Sequence, residues 1–590
     1  MSRYTADFET TTDSNDCRVW AYAISEIGNE SNFKYGTSIE EFIKWCSRKC
    51  ENPTLYFHNL KFDSSFILYY LLSSGFTWIK DKKDRKDKTF TTLISGLGQF
   101  YSIEIYFEVN DKKVNKVTIY DSLKILNMSV EDVAIAFGLP LKKLDLDYKA
   151  YRKVGHKLTI EEIDYIHNDV TIMSLALDIM FKEKLTKMTI ASDALHHYKD
   201  LNEKFRYLFP EISSSVHEDL RPSYKGGFTY LSPKYAGKKV GDLIVLDVNS
   251  LYPSTMMYEL LPYGNPIYFK GEYKKDPIHP LYIICFSCIF EIKEEKIPSL
   301  QIKDSLYFKP NEYVTSSNGD MVTLTMTNVD YELFREQYNI IGNIEFAGGW
   351  KFKATTGLFD NYINYWSNVK INAKKDGNKA LYKIAKLMLN SLYGKFGASC
   401  YGRSKIPYLN EEGILSFKIG EKEDRKTVYL PMASFITAYS RRKTITTSQA
   451  IRDYTMEKYG VDYYIYSDTD SIHMLAMEEE ELKKFIDIDD YRLGAWKLES
   501  RAQAGVFIRQ KCYIEQDYDG TLNTTIAGLP KRMGKLITFD NFKLGFSTAS
   551  YSDEEIKKME KDLNCDIGRK LRFKHVKGGV ILVDTDFTIK

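Results

Sequence analysis

The sequence predicts a multidomain protein of mixed class, with both α/β and α+β segments. At 590 residues the chain is too long for a single hydrophobic core. Residues 1–185 alternate short apolar strands with helical segments, and a helical stretch at 358–398 is followed by a return of strand patterns. No repeat or low-complexity tract interrupts this succession, so continuous folded domains are expected.

The first segment, 1–185, shows the α/β pattern most clearly. Apolar strands are predicted within "TLYFHNL" at 54–60 and "KVTIYDSL" at 116–123, and a long helix is predicted within 159–185. The charged run "IKDKKDRKDKTF" at 79–90 is interpreted as a solvated hairpin tip, although its lysines could also follow a phosphate backbone.

The remaining segments are separated by changes of pattern. A mixed segment at 186–260 ends in the strand "GDLIVLDV", and a strand-rich insertion follows at 261–357. Apolar positions at helical spacing, with lysines on the opposite face, predict helices at 358–398. Strands return at about 427–530, and the basic, strand-prone tail "HVKGGVILVDTDFTIK" at 575–590 is predicted to form a small separate subdomain.

Bulk composition excludes several classes of protein. Lys and Arg number 82 against 80 Asp and Glu, so any contact with nucleic acid must use local patches. The 44 Tyr and 33 Phe suit base stacking and core packing equally. Eight scattered cysteines fit a reducing compartment, and "CFSC" at 285–288 is interpreted as strand packing because no second ligand pair accompanies it. Without an apolar leader or a membrane-length apolar run, a soluble protein without membrane contact is expected.

Two aspartates interrupt one of the most apolar runs of the chain, "DYYIYSDTDSIHML" at 462–475. In a strand Asp468 and Asp470 would leave the same face, and otherwise they would flank a tight hairpin turn. Two carboxylates held this close repel each other, which makes a divalent cation a natural partner. A lone Asp-Thr-Asp is nevertheless more often a polar turn.

A third aspartate and a lysine-bearing helix favour the metal interpretation. Asp247 ends an apolar strand in "VLDVNSLYPS", and Lys386, Asn390 and Tyr393 share one helical face at i, i+4 and i+7. Carboxylates that hold metals and cations that neutralise a triphosphate are what two-metal phosphoryl transfer requires. Taken alone, Asp247 could cap a helix, and the helix could be an ordinary amphipathic surface helix.

The N-terminal segment carries a second acidic set. "DFET" places Asp7 and Glu9 on one face of a strand, "HNLKFD" supplies Asp63, and "YIHND" places Tyr165 and Asp169 one helical turn apart. Four carboxylates and a phenol could hold two Mg²⁺ ions and orient a water for phosphodiester hydrolysis. Any one of these acids alone is more simply a cap or a surface residue.

The order of these motifs resembles the protein-primed family B DNA polymerases of small tailed bacteriophages. The resemblance rests on "DFET", "HNLKFDSSF", "YIHND", "SYKGGF", "DVNSLYPS", "KLMLNSLYGKFG", "YSDTDS" and "KCY", and it covers nearly the whole chain. It implies a ribonuclease H-like 3′–5′ exonuclease domain at 1–185, followed by a right-hand polymerase domain. The implied parts are palm at 186–260 and 428–530, fingers at 358–398, thumb at 531–590, and two insertions special to protein-primed members at 261–357 and 399–427.

The resemblance also assigns polymerase-site roles. It implies that Asp247, the Val248 carbonyl and Asp470 bind metal, with Asp468 in support. It further implies that Lys370 and Lys386 hold the incoming triphosphate, although the polar stretch "NAKKDGNKA" weakens the match at Lys370. Other implied contacts, to the sugar, the nascent base pair and the primer, are made by Tyr252, Asn390, Tyr393, Gly394, Lys511 and Tyr513.

In the N-terminal domain the resemblance implies an exonuclease metal site. Asp7, Glu9, Asp63 and Asp169 match its ligands, with Tyr165 and Lys143 assisting. The residues that match a binding surface for a frayed 3′ end are Thr10, Tyr56, His58, Asn59, Phe62, Phe66, Ser122 and Leu123. Further DNA contacts are implied for Tyr224, Gly226 and Gly227 in a linker motif, and for Thr437 and Arg441.

Two positions depart from the family pattern without touching a metal ligand. Cys512 replaces a threonine in "KCY", and Ser440 replaces an alanine in "TAYSR". The expected cofactor is Mg²⁺, two ions per active site, with Mn²⁺ as a substitute. Expected partners are template and primer DNA, dNTPs and a separate terminal protein, for a monomer or a heterodimer in the cytoplasm of an infected bacterium. The alternative functions are a nuclease, or a decayed nucleic-acid-binding protein, on a polymerase scaffold, and a polymerase primed by nucleic acid only.

Overall fold

The N-terminal region is built on one eight-stranded sheet. The structure, a computed structural model, describes residues 2–49, 51–110, 113–147, 150–302, 307–309 and 312–590. In chain order this region contains β1 (Arg3–Thr10), β2 (Val19–Glu26), β3 (Asn29–Gly36), α1 (Ile39–Arg48), β4 (Thr54–Phe57), α2 (Leu60–Ser73), β5 (Thr77–Trp78), β6 (Thr89–Ile94), β7 (Phe100–Asn110), β8 (Lys113–Asp121), α3 (Val130–Phe137) and α4 (Ile160–Lys182). The strand order is β3-β2-β1-β4-β8-β7-β6-β5.

This sheet combines parallel and antiparallel pairs. Strands β1, β4 and β8 run parallel to one another, and the other neighbours are antiparallel except β5 and β6. Helix α4 starts with a reciprocal capping box between Thr159 and Glu162 and packs against β1 and β2. The prediction of a hairpin tip at 79–90 is wrong, because β5 and β6 are parallel and the run forms a loop with a 3₁₀ turn at Lys82–Asp84.

A second, seven-stranded sheet is assembled from distant parts of the chain. The chain segment that supplies its first two strands contains α5 (Ile190–Asp200), α6 (Phe205–Leu208), α7 (Ser214–Leu220), β9 (Thr229–Leu231), β10 (Lys239–Val248) and α8 (Leu251–Tyr258). The intervening insertion contains β11 (Leu261–Lys270), β12 (Leu281–Ile292), β13 (Val322–Thr327), α9 (Asn328–Gln337) and β14 (Tyr338–Thr355), which form a separate sheet in the order β11-β14-β12-β13. Cys285 and Cys288 lie on β12, which confirms strand packing.

Helices and a small two-sheet insertion follow. They are α10 (Asp360–Lys375), α11 (Lys379–Ser391), α12 (Tyr393–Phe396), β15 (Tyr401–Gly402), β16 (Lys405–Leu409), β17 (Leu415–Ile419) and β18 (Glu423–Asp424). The polar stretch at 372–380 contains the turn between α10 and α11. There Gly377 adopts a φ of +68°, which favours glycine, and the Asn378 side chain caps α11.

The second part of the seven-stranded sheet follows a long helix over 430–459, so the prediction of strands is wrong for that stretch. In order, the chain forms α13 (Leu430–Tyr459), β19 (Tyr464–Asp468), β20 (Ser471–Leu475), α14 (Glu479–Leu482), β21 (Trp496–Arg509), β22 (Cys512–Gln516) and β23 (Leu522–Ile526). The strand order is β23-β22-β21-β10-β20-β19-β9, so β10 lies between β21 and β20. This order brings Asp247, at the end of β10, beside the turn that joins β19 to β20.

The C-terminal segment contains α15 (Asp553–Leu563), β24 (Lys570–Val576) and β25 (Gly579–Thr585). Residues of 533–567 pack with β21 to β23 in one apolar cluster. The β24–β25 hairpin instead joins the core of the first sheet, where Val580 packs with Phe66 and Leu415. The tail therefore has no apolar core separate from the rest of the chain. None of the helices in the described part of the chain combines the length and apolar character that a bilayer crossing requires.

Candidate active sites

The first candidate site lies at the end of β10 in the seven-stranded sheet. Asp247 pairs in register with Ser471 of β20, and the Val248 amide donates to the Asp470 carbonyl at 2.8 Å. Burial, and then the charges of Glu499 and Asp470, raise the pKa of Asp247 to about 6. Burial also raises the pKa of Asp470. The ionised forms of these two neighbouring carboxylates are disfavoured, and a bound cation would stabilise them.

The Asp468–Asp470 segment is a tight turn, which was one of the two predicted geometries. Asp468 pairs with Ser471, and Thr469 between the aspartates has a φ of +62°. Its amide donates to the Phe228 carbonyl at 2.7 Å, and a Cβ on Gly227 would approach the Thr469 side chain to 2.7 Å. The "SYKGGF" loop therefore packs directly on the turn, and a side chain at Gly227 would displace it.

Asp468 and Asp470 have different partners. The Lys511 ammonium donates to both oxygens of Asp468, at 2.7 and 2.8 Å, and the Lys511 amide donates to the Tyr466 hydroxyl at 3.0 Å. Tyr513 stacks on Phe507 and lies against Tyr466. Lys511 is thus held at the edge of the site by Asp468, whereas Asp470 is left to share the charge environment of Asp247.

Three elements supply lysines to one cluster of positive charge, and one of these lysines is paired with Asp247. Lys370 on α10 is half-buried, and burial followed by the charges of Lys386 and Lys497 lowers its pKa. Lys386 is exposed on α11, and Asn390 one turn further along is exposed as well. Lys497 on β21 lies 3.3 Å from an oxygen of Asp247. Neither Lys497 nor Glu499 was found from the sequence, because a charged residue on an irregular strand carries no local signal.

Two tyrosines stack beside this cluster. The rings of Tyr252, on α8, and Tyr393, on α12, have centroids 4.1 Å apart and an interplanar angle of 25°. Burial and the neighbouring Tyr393 raise the pKa of Tyr252 well above its usual range, so it remains a neutral phenol. A side chain at Gly394 would meet no atom of the described protein within 4 Å, so the chain leaves space next to the stacked rings.

Several residues for which DNA contact is predicted are bound by protein groups instead. The Arg441 guanidinium, 5% exposed, donates to both oxygens of Asp330 and to the carbonyls of Lys225 and Gly226. Buried Thr437 donates to the Ala433 carbonyl within α13. In this structure Thr437 therefore bonds within its own helix, and Arg441 fixes the loop that packs on Thr469.

Both departures from the family pattern are buried. The Cys512 thiol lies in the apolar cluster below β22, and burial raises its pKa. The Ser440 hydroxyl donates to the Ile436 carbonyl at 2.8 Å and lies 3.0 Å from the Thr255 hydroxyl of α8. Neither side chain reaches solvent, so neither can contact DNA directly.

The second candidate site lies in the N-terminal sheet. Strand β1 supplies Asp7 and Glu9, α2 supplies Asp63, and α4 supplies Tyr165 and Asp169. Burial, and then the Asp169 charge, raises the pKa of Asp7 to about 7. The pKa values of Glu9 and Asp63 are raised well above the usual range, again first by burial and then by the Asp7 charge.

The surroundings of these acids fit a hard cation. One oxygen of Asp63 and one of Asp169 are buried without a hydrogen-bond partner among the described residues, and the Lys143 ammonium lies 3.5 Å from the other Asp169 oxygen. The Tyr165 hydroxyl bonds to Asp169. Within the described ranges no three His, Cys, Asp or Glu side chains already form a closed metal cage, so a bound cation would draw these carboxylates together. Carboxylate oxygens of this kind suit Mg²⁺ or Mn²⁺.

A cavity of about 160 Å³ opens beside these acids. It is lined by Asp7 and Asp169 together with Thr5, Ala6, Tyr56, His58, Val130, Lys143, Val170 and Met173. Burial lowers the pKa of His58, whose ring nitrogens lie 3.0 Å from the Ser122 hydroxyl and 2.7 Å from the Met128 carbonyl. The walls of the cavity therefore offer aromatic and polar groups next to the carboxylates.

Of the residues predicted to hold a 3′ end, Tyr56 and His58 line this cavity, and the others do not. Asn59, with a φ of +71°, and Leu123 both donate backbone amides to Asp121, at 3.1 and 3.0 Å. Asp121, 1% exposed, was not found from the sequence, although an aspartate at a strand end before "SL" is a recognisable backbone cap. Phe62 and Phe66 pack against each other, and the C-terminal hairpin covers Phe66. Thr10 ends β1.

Comparison with known proteins identifies the family. Residues 44–488 match the model for DNA polymerase type B, organellar and viral. The DNA polymerases of Bacillus phages B103 and phi29 are 43% and 42% identical to this chain, and each alignment covers 100% of the chain and 99% of the relative. The phi29 DNA polymerase complexed with primer-template DNA and incoming nucleotide substrates superposes with a TM-score of 0.89 at 41% identity, over 100% of both chains. These matches confirm the predicted fold class, an exonuclease fold followed by a right-hand polymerase fold. The chain belongs to the organellar and viral type B DNA polymerases, within the protein-primed phage group.

Proposed function

We propose that this polymerase copies a linear phage genome from a hydroxyl group of a separate terminal protein, and that it proofreads with a 3′–5′ exonuclease. The observation that carries the proposal is the presence of two separate carboxylate centres in one chain. Asp247 lies beside Asp470 and 3.3 Å from Lys497, whose charge acts together with that of Lys386 on Lys370. Asp7 and Asp169 line a cavity with aromatic walls. The first arrangement suits a triphosphate, and the second suits an unpaired 3′ end.

In the polymerase centre, Asp247, Asp470 and the Val248 carbonyl would hold two Mg²⁺ ions, with Mn²⁺ as a substitute. When bound, such ions lower the pKa of the attacking hydroxyl and neutralise the charge that develops on the triphosphate. Lys370 and Lys386 bind the phosphates. The residues that line the sugar and the nascent base pair are Tyr252, Asn390, Tyr393 and Gly394, and Lys511 and Tyr513 contact the primer strand.

In the exonuclease centre, Asp7, Glu9, Asp63 and Asp169 would hold a second pair of metal ions. Tyr165 and Lys143 orient the attacking water through their contacts with Asp169. Around the cavity, aromatic rings stack on unpaired bases. His58, whose ring nitrogens are held by Ser122 and Met128, forms part of the cavity wall, and the loop fixed by Asp121 hydrogen-bonds to base edges. Tyr224, Gly226 and Gly227 form the linker along which the primer passes between the two centres.

The same proposal assigns the segments and partners of the chain. Residues 1–185 form the exonuclease, 186–260 and 428–530 the palm, 358–398 the fingers and 531–590 the thumb. The insertion at 261–357 contacts the terminal protein, and the insertion at 399–427 encloses DNA for processive strand displacement. The polymerase acts as a monomer, or as a heterodimer with the terminal protein, in the cytoplasm of the infected bacterium.

Primer extension on a primed circular single strand tests the central proposal. With Mg²⁺ and dNTPs, we expect product much longer than the circle, because extension must continue past the primer by strand displacement. Incubation with a purified terminal protein and one labelled dNTP should transfer the label covalently to that protein. No incorporation on the circle would refute polymerase activity, and an unlabelled terminal protein would refute protein priming alone.

Replacement of Tyr252 by Val is expected to raise the use of ribonucleotides relative to deoxynucleotides by at least about tenfold. The ring, held in place by stacking on Tyr393, would otherwise collide with a 2′-hydroxyl. Single-nucleotide incorporation with matched dNTP and rNTP measures the ratio. Tyr252→Phe is the control, because it keeps the ring and should keep discrimination. Equal discrimination in the Val variant and the parent would remove Tyr252 from this role.

A further inference from the structure

Lys497 is fixed on the palm directly across from Asp247. The two residues face each other in the β10–β21 register, with 3.3 Å between the ammonium and one carboxylate oxygen. The neighbouring Ala495 carbonyl accepts the Asn249 amide at 2.9 Å, which ties the start of β21 to the loop after Asp247. Strand pairing and this hydrogen bond therefore fix the backbone of Lys497 relative to that of Asp247.

The ammonium of Lys497 also belongs to a cluster of positive charge. Its charge and that of Lys386 act on Lys370, which is half-buried on α10. Among the described residues, neither Lys370 nor Lys386 is paired with an acid, and Lys497 has only the Asp247 carboxylate. Three cations supplied by β21, α10 and α11 therefore lie near one another, and two of them have no ion-pair partner among the described residues.

A polyphosphate chain would give Lys370 and Lys386 anionic partners. It offers several negative oxygens in a row, and ammonium groups bind such oxygens as point charges from different directions. Lys370 and Lys386 approach from the helices, whereas Lys497 approaches from the sheet that carries the carboxylates. A phosphate chain between helices and sheet would be contacted from both sides.

We infer that Lys497 is a triphosphate-binding residue of the polymerase site, whose ammonium pairs with Asp247 in the free protein and shifts to the phosphates of the incoming nucleotide. This inference rests on the proposed polymerase function. In this shift the Lys497 ammonium keeps an anionic partner, because phosphate oxygens replace the carboxylate. Asp247 therefore becomes available as a metal ligand when the nucleotide enters. The alternative role is neutralisation of Asp247 alone, with no contact to the nucleotide.

The two roles differ once Asp247 is made neutral. In an Asp247→Asn background the carboxylate paired with Lys497 is gone. Lys497→Ala can then lower the affinity for phosphate only if Lys497 itself binds phosphate. A double-mutant cycle of Asp247→Asn and Lys497→Ala separates the roles, with inorganic tripolyphosphate as the probe and EDTA present. Isothermal titration calorimetry on the full-length protein then reports phosphate binding without metal and without turnover.

We expect Asp247→Asn to bind tripolyphosphate about fivefold more tightly than the parent, because Lys497 is released and one negative charge is removed. Adding Lys497→Ala in this background should weaken binding by about fivefold, and Lys497→Arg should retain most of the affinity. Arg501→Ala is the matched control. It removes one positive charge from the same strand, where Arg501 acts on Tyr518 and not on the lysine cluster.

Equal tripolyphosphate affinity with and without Lys497→Ala in the Asp247→Asn background would overturn the inference, as would an equal loss in Arg501→Ala. In primer extension, Lys497→Ala in the parent should raise the KM for dNTP by about fivefold. A parent protein that bound tripolyphosphate through Lys497 but incorporated no nucleotide would refute the proposed function and leave the phosphate site. Normal extension with no contribution of Lys497 to phosphate binding would refute the inference alone.

Discussion

Asp470→Asn is expected to lower the rate of nucleotide incorporation by at least about a hundredfold, since metal electrostatics contribute several kcal/mol to such reactions. The substitution keeps the side-chain volume and removes one charged oxygen ligand. Asp470 is, with Glu499, one of two acids whose charges act on Asp247, and Asp468 is already paired with Lys511. The loss should therefore appear in the rate of the chemical step, measured by rapid-quench incorporation of one nucleotide.

Asp468→Asn supplies the comparison within the same turn. It weakens the contact with Lys511 but leaves the Asp247 and Asp470 carboxylates intact, so a smaller loss is expected. Degradation of a labelled 3′ end by the Asp470→Asn protein should be unchanged, because the carboxylates of the second candidate site belong to the N-terminal region. Unchanged degradation would also show that the variant is folded. A folded Asp470→Asn protein that incorporates within a few-fold of the parent would restore the interpretation that the aspartates only shape a turn.

Local patterns in the sequence predict the elements that carry the acids. The apolar run before Asp468 forms β19, and the break at "SDTD" forms the turn. Lys386 and Asn390 lie on one helix, α11, as predicted, whereas Tyr393 begins the separate helix α12. These features depend on residues a few positions apart, which is where turn chemistry and helical periodicity act.

Contacts between distant parts of the chain could not be predicted in this way. Lys497 faces Asp247 only because β21 pairs with β10, and a single lysine in a strand carries no sign of that register. Arg441 matches a DNA-contact motif, yet its guanidinium binds Asp330, which lies 111 positions earlier in the chain. The packing of the C-terminal hairpin on Phe66 likewise depends on a glycine, Gly579. A Cβ added at this position would lie 2.5 Å from the Phe66 ring.

The double substitution Asp7→Asn and Glu9→Gln is expected to lower 3′-end degradation by at least about a thousandfold while leaving primer extension nearly unchanged. Both acids lie on β1, and their charges act on Asp63 of α2, so their removal takes away much of the negative charge that would hold metal. Release of nucleotides from a labelled single strand measures the first activity, and extension on the circular template measures the second. Asp164→Asn, at an exposed position of α4, is the matched control and should degrade the strand normally.

Thermal stability separates a metal-binding role from a structural one at the same position. Folding raises the pKa of Asp7 from its ordinary value of 3.8 to about 7, so the unfolded chain loses this proton at a lower pH than the folded protein. The parent is therefore progressively destabilised as pH rises from about 4 to about 7. Asp7→Asn carries no proton to lose, so in EDTA its advantage in melting temperature should grow across that window and then level off. Added Mg²⁺ should raise the melting temperature of the parent at pH 8 more than that of the variant, because binding to the folded state alone stabilises it. A variant that melts below the parent in EDTA at pH 8 would show instead that the Asp7 carboxylate holds the sheet together.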